Sequence, residues 1–232
     1  MPVDAITENT TVQNATVDNQ YTGVIDLNLD SLNNTTTNPD AGFLSILNGT
    51  DLRVRNQLMR FDGLSNISSG VTVNSATLYI RSVFTNAGTV DVDLRRVIQS
   101  FPIVSPDLPS WDNYNQNTAS AWDTAGCEGD GTDRVATPES TTSISSAGGT
   151  WFALDLTSLV EDWINGTVAN EGCLLSTDDV AGTIRSLTSS EGTDGQRPEL
   201  IVDWTAAGGS DLIAQIRAKQ RFLFSRIHGR VN

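Results

Sequence analysis

Lys219 is the only lysine in the 232 residues and His228 the only histidine. With a net charge of −14, the chain has no basic surface with which to hold phosphates, so nucleic acid is excluded as a main partner. The single histidine sits close to the C-terminus. Residues 1–210 therefore cannot assemble a Ser–His–Asp or Cys–His set, nor a His/Cys zinc site. No P-loop and no G-x-G-x-x-G occurs. There are two cysteines, Cys127 and Cys173. They fit either a disulfide or two small buried hydrophobes, and the second reading is favoured. No apolar run approaches the roughly 18 residues that span a bilayer, which argues against membrane insertion. The opening MPVDAITENTTVQNATVDNQ lacks the basic and apolar parts of a secretory leader, and the expectation is synthesis in the cytoplasm without export by such a leader.

Thr, Asn, Ser and Asp dominate the polar residues. Turn formers mixed with β-branched residues favour many short strands joined by tight turns. The charge is divided: residues 1–210 carry −18, while residues 211–232 set Asp211 against Arg217, Lys219, Arg221, Arg226 and Arg230, giving +4. Such a split marks the C-terminal segment as a separate unit.

Residues 1–20 are polar and read as an extended N-terminal arm. Strand patterns follow at Tyr21–Leu29, Gly42–Leu47, Arg53–Phe61, Val71–Phe84 and Val90–Ile98. Val54, Leu58 and Phe61 are expected to face inward, as are Val73, Leu78, Ile80 and Val83, and Val90, Val92, Leu94 and Val97. Residues 101–149 read mostly as loop, with four prolines and two tryptophans. Trp151–Leu156, Gly172–Ser176 and Glu199–Trp204 return to strand. One helix interrupts them. Leu156, Leu159, Val160, Trp163 and Ile164 form a single apolar stripe, with Asp155 or Thr157 placed to cap it and Asn165-Gly166 to stop it. Beyond Ala206–Gly209, Ser210 opens a second helical pattern with Ile213, Ile216, Leu223, Phe224 and Ile227 near one face. The organisation is thus an arm (1–20), an all-β domain (21–205) and a basic amphipathic helical tail (206–232).

Several segments, in order, resemble the DNRLRE-type domain, a jelly-roll module related to disaggregatase repeats and alginate-binding carbohydrate modules. They are Gln57–Asp62, Ile67–Leu78, the tryptophans Trp111 and Trp122, Phe152–Gly166 with Asn170–Leu175, and Thr188–Trp204. The similarity covers about residues 20–205. The family's Thr-Trp pair is here Ser110-Trp111, so the loop around it departs from the family pattern. The resemblance implies an all-β jelly-roll β-sandwich with one short internal helix, followed here by the helical tail. It also places Pro198 just before the last strand, where its fixed φ excludes helix. Arg197 beside it is expected to be solvated, Trp163 to be core, and Trp204 to face inward.

Two candidate sites stand out. Trp111, Tyr114 and Trp122 are flat aromatics of the kind on which sugar rings stack, and equally of the kind that pin a long loop to a sheet. Glu128, Asp130 and Asp133 in CEGDGTDR, and Asp178-Asp179, are oxygen-rich and turn-prone, so calcium is the cofactor to consider; solvated acidic turns are the plainer reading. The first functional reading is a non-catalytic virion structural protein of a tailed phage. It would be a capsid decoration or tail accessory protein on the virion surface, with other virion subunits or its own copies as partners. The tail would supply the subunit interface through Ile213, Ile216, Arg217, Arg221, Leu223, Phe224 and Ile227. The second is an extracellular carbohydrate-binding module for a cell-surface polysaccharide. The third is a polysaccharide hydrolase or lyase using paired carboxylates.

Overall fold

The computed structural model describes residues 7–12, 24–33, 43–48, 53–85, 89–145, 148–178, 183–193 and 195–205. In chain order the elements are β1 (Thr7–Val12), β2 (Ile25–Asp30), β3 (Phe43–Asn48), β4 (Val54–Arg60), a 3-10 turn (Asp62–Asn66), β5 (Thr72–Thr85), β6 (Val90–Arg96), β7 (Asn113–Asn115), β8 (Ser120–Ala121), β9 (Ser140–Ile144), β10 (Trp151–Asp155), α1 (Thr157–Asn165), β11 (Cys173–Ser176), β12 (Thr183–Thr188) and β13 (Glu199–Thr205). All the strand pairs are antiparallel, and the architecture is an all-β sandwich of jelly-roll type with a single short helix among the described residues.

One layer runs β1-β13-β5-β10. The other holds β2-β4-β11-β6-β9, with β12-β3 joined to β4 through the β3–β4 pairing. The 14 residues of β5 belong to both. Its first part pairs with β13 and β10, and Ser82, Phe84 and Thr85 pair with β12. The alternation of β13 shows the layer's two faces: Leu200, Val202 and Trp204 are buried, while Glu199, Ile201 and Asp203 are half-exposed.

The irregularity in β5 corrects one expectation. The register with β13 shifts between Asp203 and Trp204, opposite Val73 and Ser75. Val73 is therefore inward on one phase, and Ala76, Leu78 and Ile80 on the other. Ser82 continues the second phase into the interior, so Val83 points out and is 44% exposed. Elsewhere Phe61, Val90, Val92, Leu94 and Val97 are buried as expected, whereas Val54 is only half-buried.

Between the layers lies a continuous core that includes Met59, Phe61, Leu78, Ile80, Leu94, Leu175, Leu200 and Val202. The buried stripe of α1, Leu159, Val160, Trp163 and Ile164, packs into it, with the Trp163 and Phe61 ring centroids 6.3 Å apart. Asp155 Oδ1 accepts the Thr157 backbone N–H, and Thr157 Oγ1 accepts the N–H of Ala76 on β5. Gly166 ends the helix at φ 71°. Residues 7–12, within the expected extended arm, form an edge strand on β13. The tail, with Ile213, Ile216, Arg217, Arg221, Leu223, Phe224 and Ile227, lies outside the described residues.

Candidate binding loop on the outer face

Strands β4 and β11 alternate between two apolar surroundings, and β2 turns Leu27 and Leu29 to one face and Asp26 and Asn28 to the other. Met59, Cys173 and Leu175 enter the inter-sheet core, while Leu27, Leu29, Leu58 and Leu174 point to the opposite, outer face. An apolar outer face must be covered. The cover is the long loop after β6, which lays Val97, Phe101, Leu108, Trp122 and Cys127 onto it, with Ile103, Trp111 and Tyr114 at the margin. Leu58 is thus buried, but in this second core rather than between the sheets.

The three expected platform aromatics meet here, Trp122 within this second core and Trp111 and Tyr114 packed against it. Trp122 is 4% exposed and donates Nε1–H to the Ser110 carbonyl at 2.9 Å. Tyr114 meets it edge-on at 5.9 Å and Phe101 lies at 6.4 Å. Trp111 lies over Gly126, where a Cβ would come within 2.6 Å of the ring; the φ of +85° there also suits glycine. Trp122 thus presents no open face, while Trp111 and Tyr114 are half-buried beside it.

The acidic residues are likewise committed to the loop's own architecture. Asp133 is buried; its Oδ1 accepts the N–H of Asp123, and its Oδ2 those of Thr124 and Gly129, each at 3.0 Å. Glu128 Oε1 accepts Nδ2–H of Asn56 at 2.7 Å, and the same amide nitrogen donates to the Gly126 carbonyl at 3.0 Å. Asp130 pairs with Arg134 at 3.2 Å. Each carboxylate is thus engaged by donors of the protein itself. The expected calcium loop is not assembled as a ligand set, and among the described residues no group of three or more His, Cys, Asp or Glu is placed to hold a metal. Asp178 pairs with Arg95 at 3.4 Å; Arg95 also meets Asp93 at 2.8 Å and Ser176 Oγ at 3.0 Å. Asp179 lies outside the described residues.

Both cysteines are free and buried, on opposite faces of the same sheet. Burial pushes both thiols up, reinforced at Cys127 by the Asp133 carboxylate. They stay protonated and act as small apolar groups. Arg197, expected to be solvated, is half-buried and donates Nε–H to the Gly192 carbonyl at 2.9 Å.

Sequence reasoning passed over Asn56 and Gly126, whose hydrogen bond joins the loop to β4, and Asp123, which bonds to Asp133 and Thr132 within the loop. The available signal was the buried-strand pattern of Val54–Arg60, in which Asn56 precedes Leu58 on the same face. It also passed over Trp151, 40% exposed on the outer face of the other layer, opposite Arg81 and near Tyr79. Its position is fixed by Ser82, whose N–H donates to the Thr150 carbonyl at 2.9 Å and whose carbonyl accepts the Gly149 N–H at 2.7 Å. Arg81 Nη1 donates to Gln196 Oε1 at 2.9 Å on the same face.

The chain matches no protein-family model and no curated protein. Among the described residues no helix is long and apolar enough to cross a membrane.

Proposed function

We propose that this protein is a non-catalytic structural and interaction module, a DNRLRE-like sandwich that serves as a capsid decoration or tail accessory protein of a tailed-phage virion. The observation that carries the non-catalytic reading is the commitment of the loop's chemistry to its own fold. Asp133 caps three amides, Glu128 holds Asn56, and Trp122 is buried against Ser110. A long loop fastened in this way makes a rigid body suited to display. The charge division supports attachment through the tail: a +4 segment is drawn to acidic surfaces of neighbouring subunits, including further copies with a −18 body. Immunogold electron microscopy of particles from the source tests this. Label distributed on virions supports the reading; label confined to particle-free material contradicts it.

The second reading, carbohydrate binding on a cell surface, is favoured by Trp151. An indole fixed on an open sheet face, beside Tyr79 and the hydrogen-bonded Arg81–Gln196 pair, supplies a stacking surface with polar groups at its edge. Under this reading, glycan retention seen with the full chain is lost in Trp151→Ala and kept in Trp111→Ala. Equal retention by both variants counts against it.

A further inference from the structure

Asp26 sits on β2 opposite Met59, so its carboxyl enters the sandwich on the inner face rather than the water-facing side. It is 3% exposed. One oxygen is satisfied: Oδ2 accepts the Ser190 backbone N–H at 2.6 Å. The other, Oδ1, is buried with no hydrogen-bond donor among the described residues. Ser190, in the segment between β12 and β13, binds both acids, its N–H on Asp26 Oδ2 and its Oγ–H on Glu191 Oε1, and so sets the half-buried Glu191 carboxyl beside Asp26. The Glu191 N–H donates to Ser189 Oγ at 3.2 Å, so the turn presents that acid in a fixed direction. Two neighbouring carboxylates, one of them buried, repel one another; one proton between them converts the repulsion into a hydrogen bond.

We propose that Asp26 and Glu191 share one proton, forming a clasp that fastens strand β2 to the β12–β13 turn and that loosens when both acids ionise.

Among the described residues, none of the groups that act on the Asp26 carboxyl is a cation. On β4, Gln57 and Met59 lie on the Asp26 side; Gln57 Nε2 donates to Asn28 Oδ1, and neither residue brings a charge. Arg60 of β4 turns to Asp62 and the Phe101 ring on the outer side. On β2 itself, Asp30 is held by Arg53 and Arg55. On the turn, Arg197 donates Nε–H to the Gly192 carbonyl. Burial first, and the neighbouring Glu191 charge second, push the Asp26 carboxyl well above the usual carboxylate range, against the opposing pull of the Ser190 hydrogen bonds. A carboxyl whose folded pKa is raised binds its proton more tightly in the folded than in the unfolded chain. Its contribution is present at low pH and is lost as pH rises from 3.8, the ordinary value, through the folded value.

The test follows thermal midpoints of the full chain from about pH 5 to about pH 8 for wild type, Asp26→Asn and Glu191→Gln, with hydrogen exchange at the Ser190 amide as a local readout. The expected result is a wild-type midpoint that falls by about 5 °C across this range, and a slope at least halved in both variants, since an amide keeps one donor in the pair without ionising. Ser190 exchange should rise with pH beyond the intrinsic chemical rate in wild type only. Should Asp26→Asn not fold, Glu191→Gln and the infrared carbonyl stretch of a protonated acid in wild type at about pH 5, above the ordinary carboxylate value of 3.8, decide the matter. Parallel slopes in wild type and variants, or no protonated-acid band, overturn the proposal. So does a wild-type midpoint that calcium raises and EDTA lowers at fixed pH, which would assign the pair to a cation.

Discussion

Single residues in this sandwich are constrained by the closeness of its layers. Gly172 is the sharpest case. At φ +85° it crosses β4 so closely that a Cβ would lie 2.2 Å from the Met59 carbonyl oxygen. That neighbour is backbone and cannot swing aside, so Gly172→Ala should cost at least about 2 kcal/mol, read from denaturant melts. A change below about 0.5 kcal/mol would show that the strand crossing yields easily. Trp163 is constrained by volume instead. It joins α1 to Phe61 in the inter-sheet core, and Trp163→Ala should cost about 3–5 kcal/mol in the same measurement. Its Nε1–H is buried without a partner among the described residues, so part of the indole's packing gain is already offset by that unmet donor.

At the scale of elements, the molecule is two cores sharing one sheet. The loop core is anchored by Trp122, so Trp122→Ala should leave the inter-sheet core folded while releasing the loop. Limited proteolysis should then cut within residues 101–135 about tenfold faster than in wild type. Unchanged cutting would mean that Phe101 and Leu108 hold the loop without it. A different fastening joins β2 to β4. Burial alone would raise the Asp30 carboxyl, but Arg53, the Leu32 N–H and Arg55 outweigh it and hold the pKa at about 2. This stability is present above the ordinary value of 3.8 and is lost as pH falls toward 2. Asp30→Asn should therefore flatten the acid limb of the stability curve in that window, followed by circular dichroism; an unchanged limb would deny the latch its role. These elements differ in how far the sequence reveals them. The stripe from Leu156 to Ile164 and the αL stop at Gly166 are local patterns, readable residue by residue. Strand β9, Ser140–Ile144, is nearly all Ser and Thr because it borders β6 with one face wet, and it carries no apolar period to read. Val83 misled because the β5 register shift changes which parity faces inward, and that shift is set by β13, far along the chain. The surroundings of the loop's candidate residues were hidden for a related reason. Aromatics and carboxylates clustered in sequence were correctly picked out as one loop, but whether a ring faces water or a leucine of another strand is decided by tertiary packing.

The whole molecule carries its charge unevenly, a strongly acidic sandwich and a short basic segment beyond it. The sandwich has its own closed core between two layers, with α1 supplying the helical packing among the described residues. Removal of residues 208–232 should therefore leave the β fold and its cooperative melt intact while ending attachment, and an unfolded truncation would show that the segment belongs to the fold instead. The proposal of a virion module rests on that separation, and one measurement addresses it directly: co-sedimentation of purified full-length chain and of residues 1–207 with source particles stripped of this protein, at low and at high salt. The account predicts saturable binding of the full chain, weakened by salt, and no binding by the folded truncation. Equal binding by both, or by neither, would contradict it.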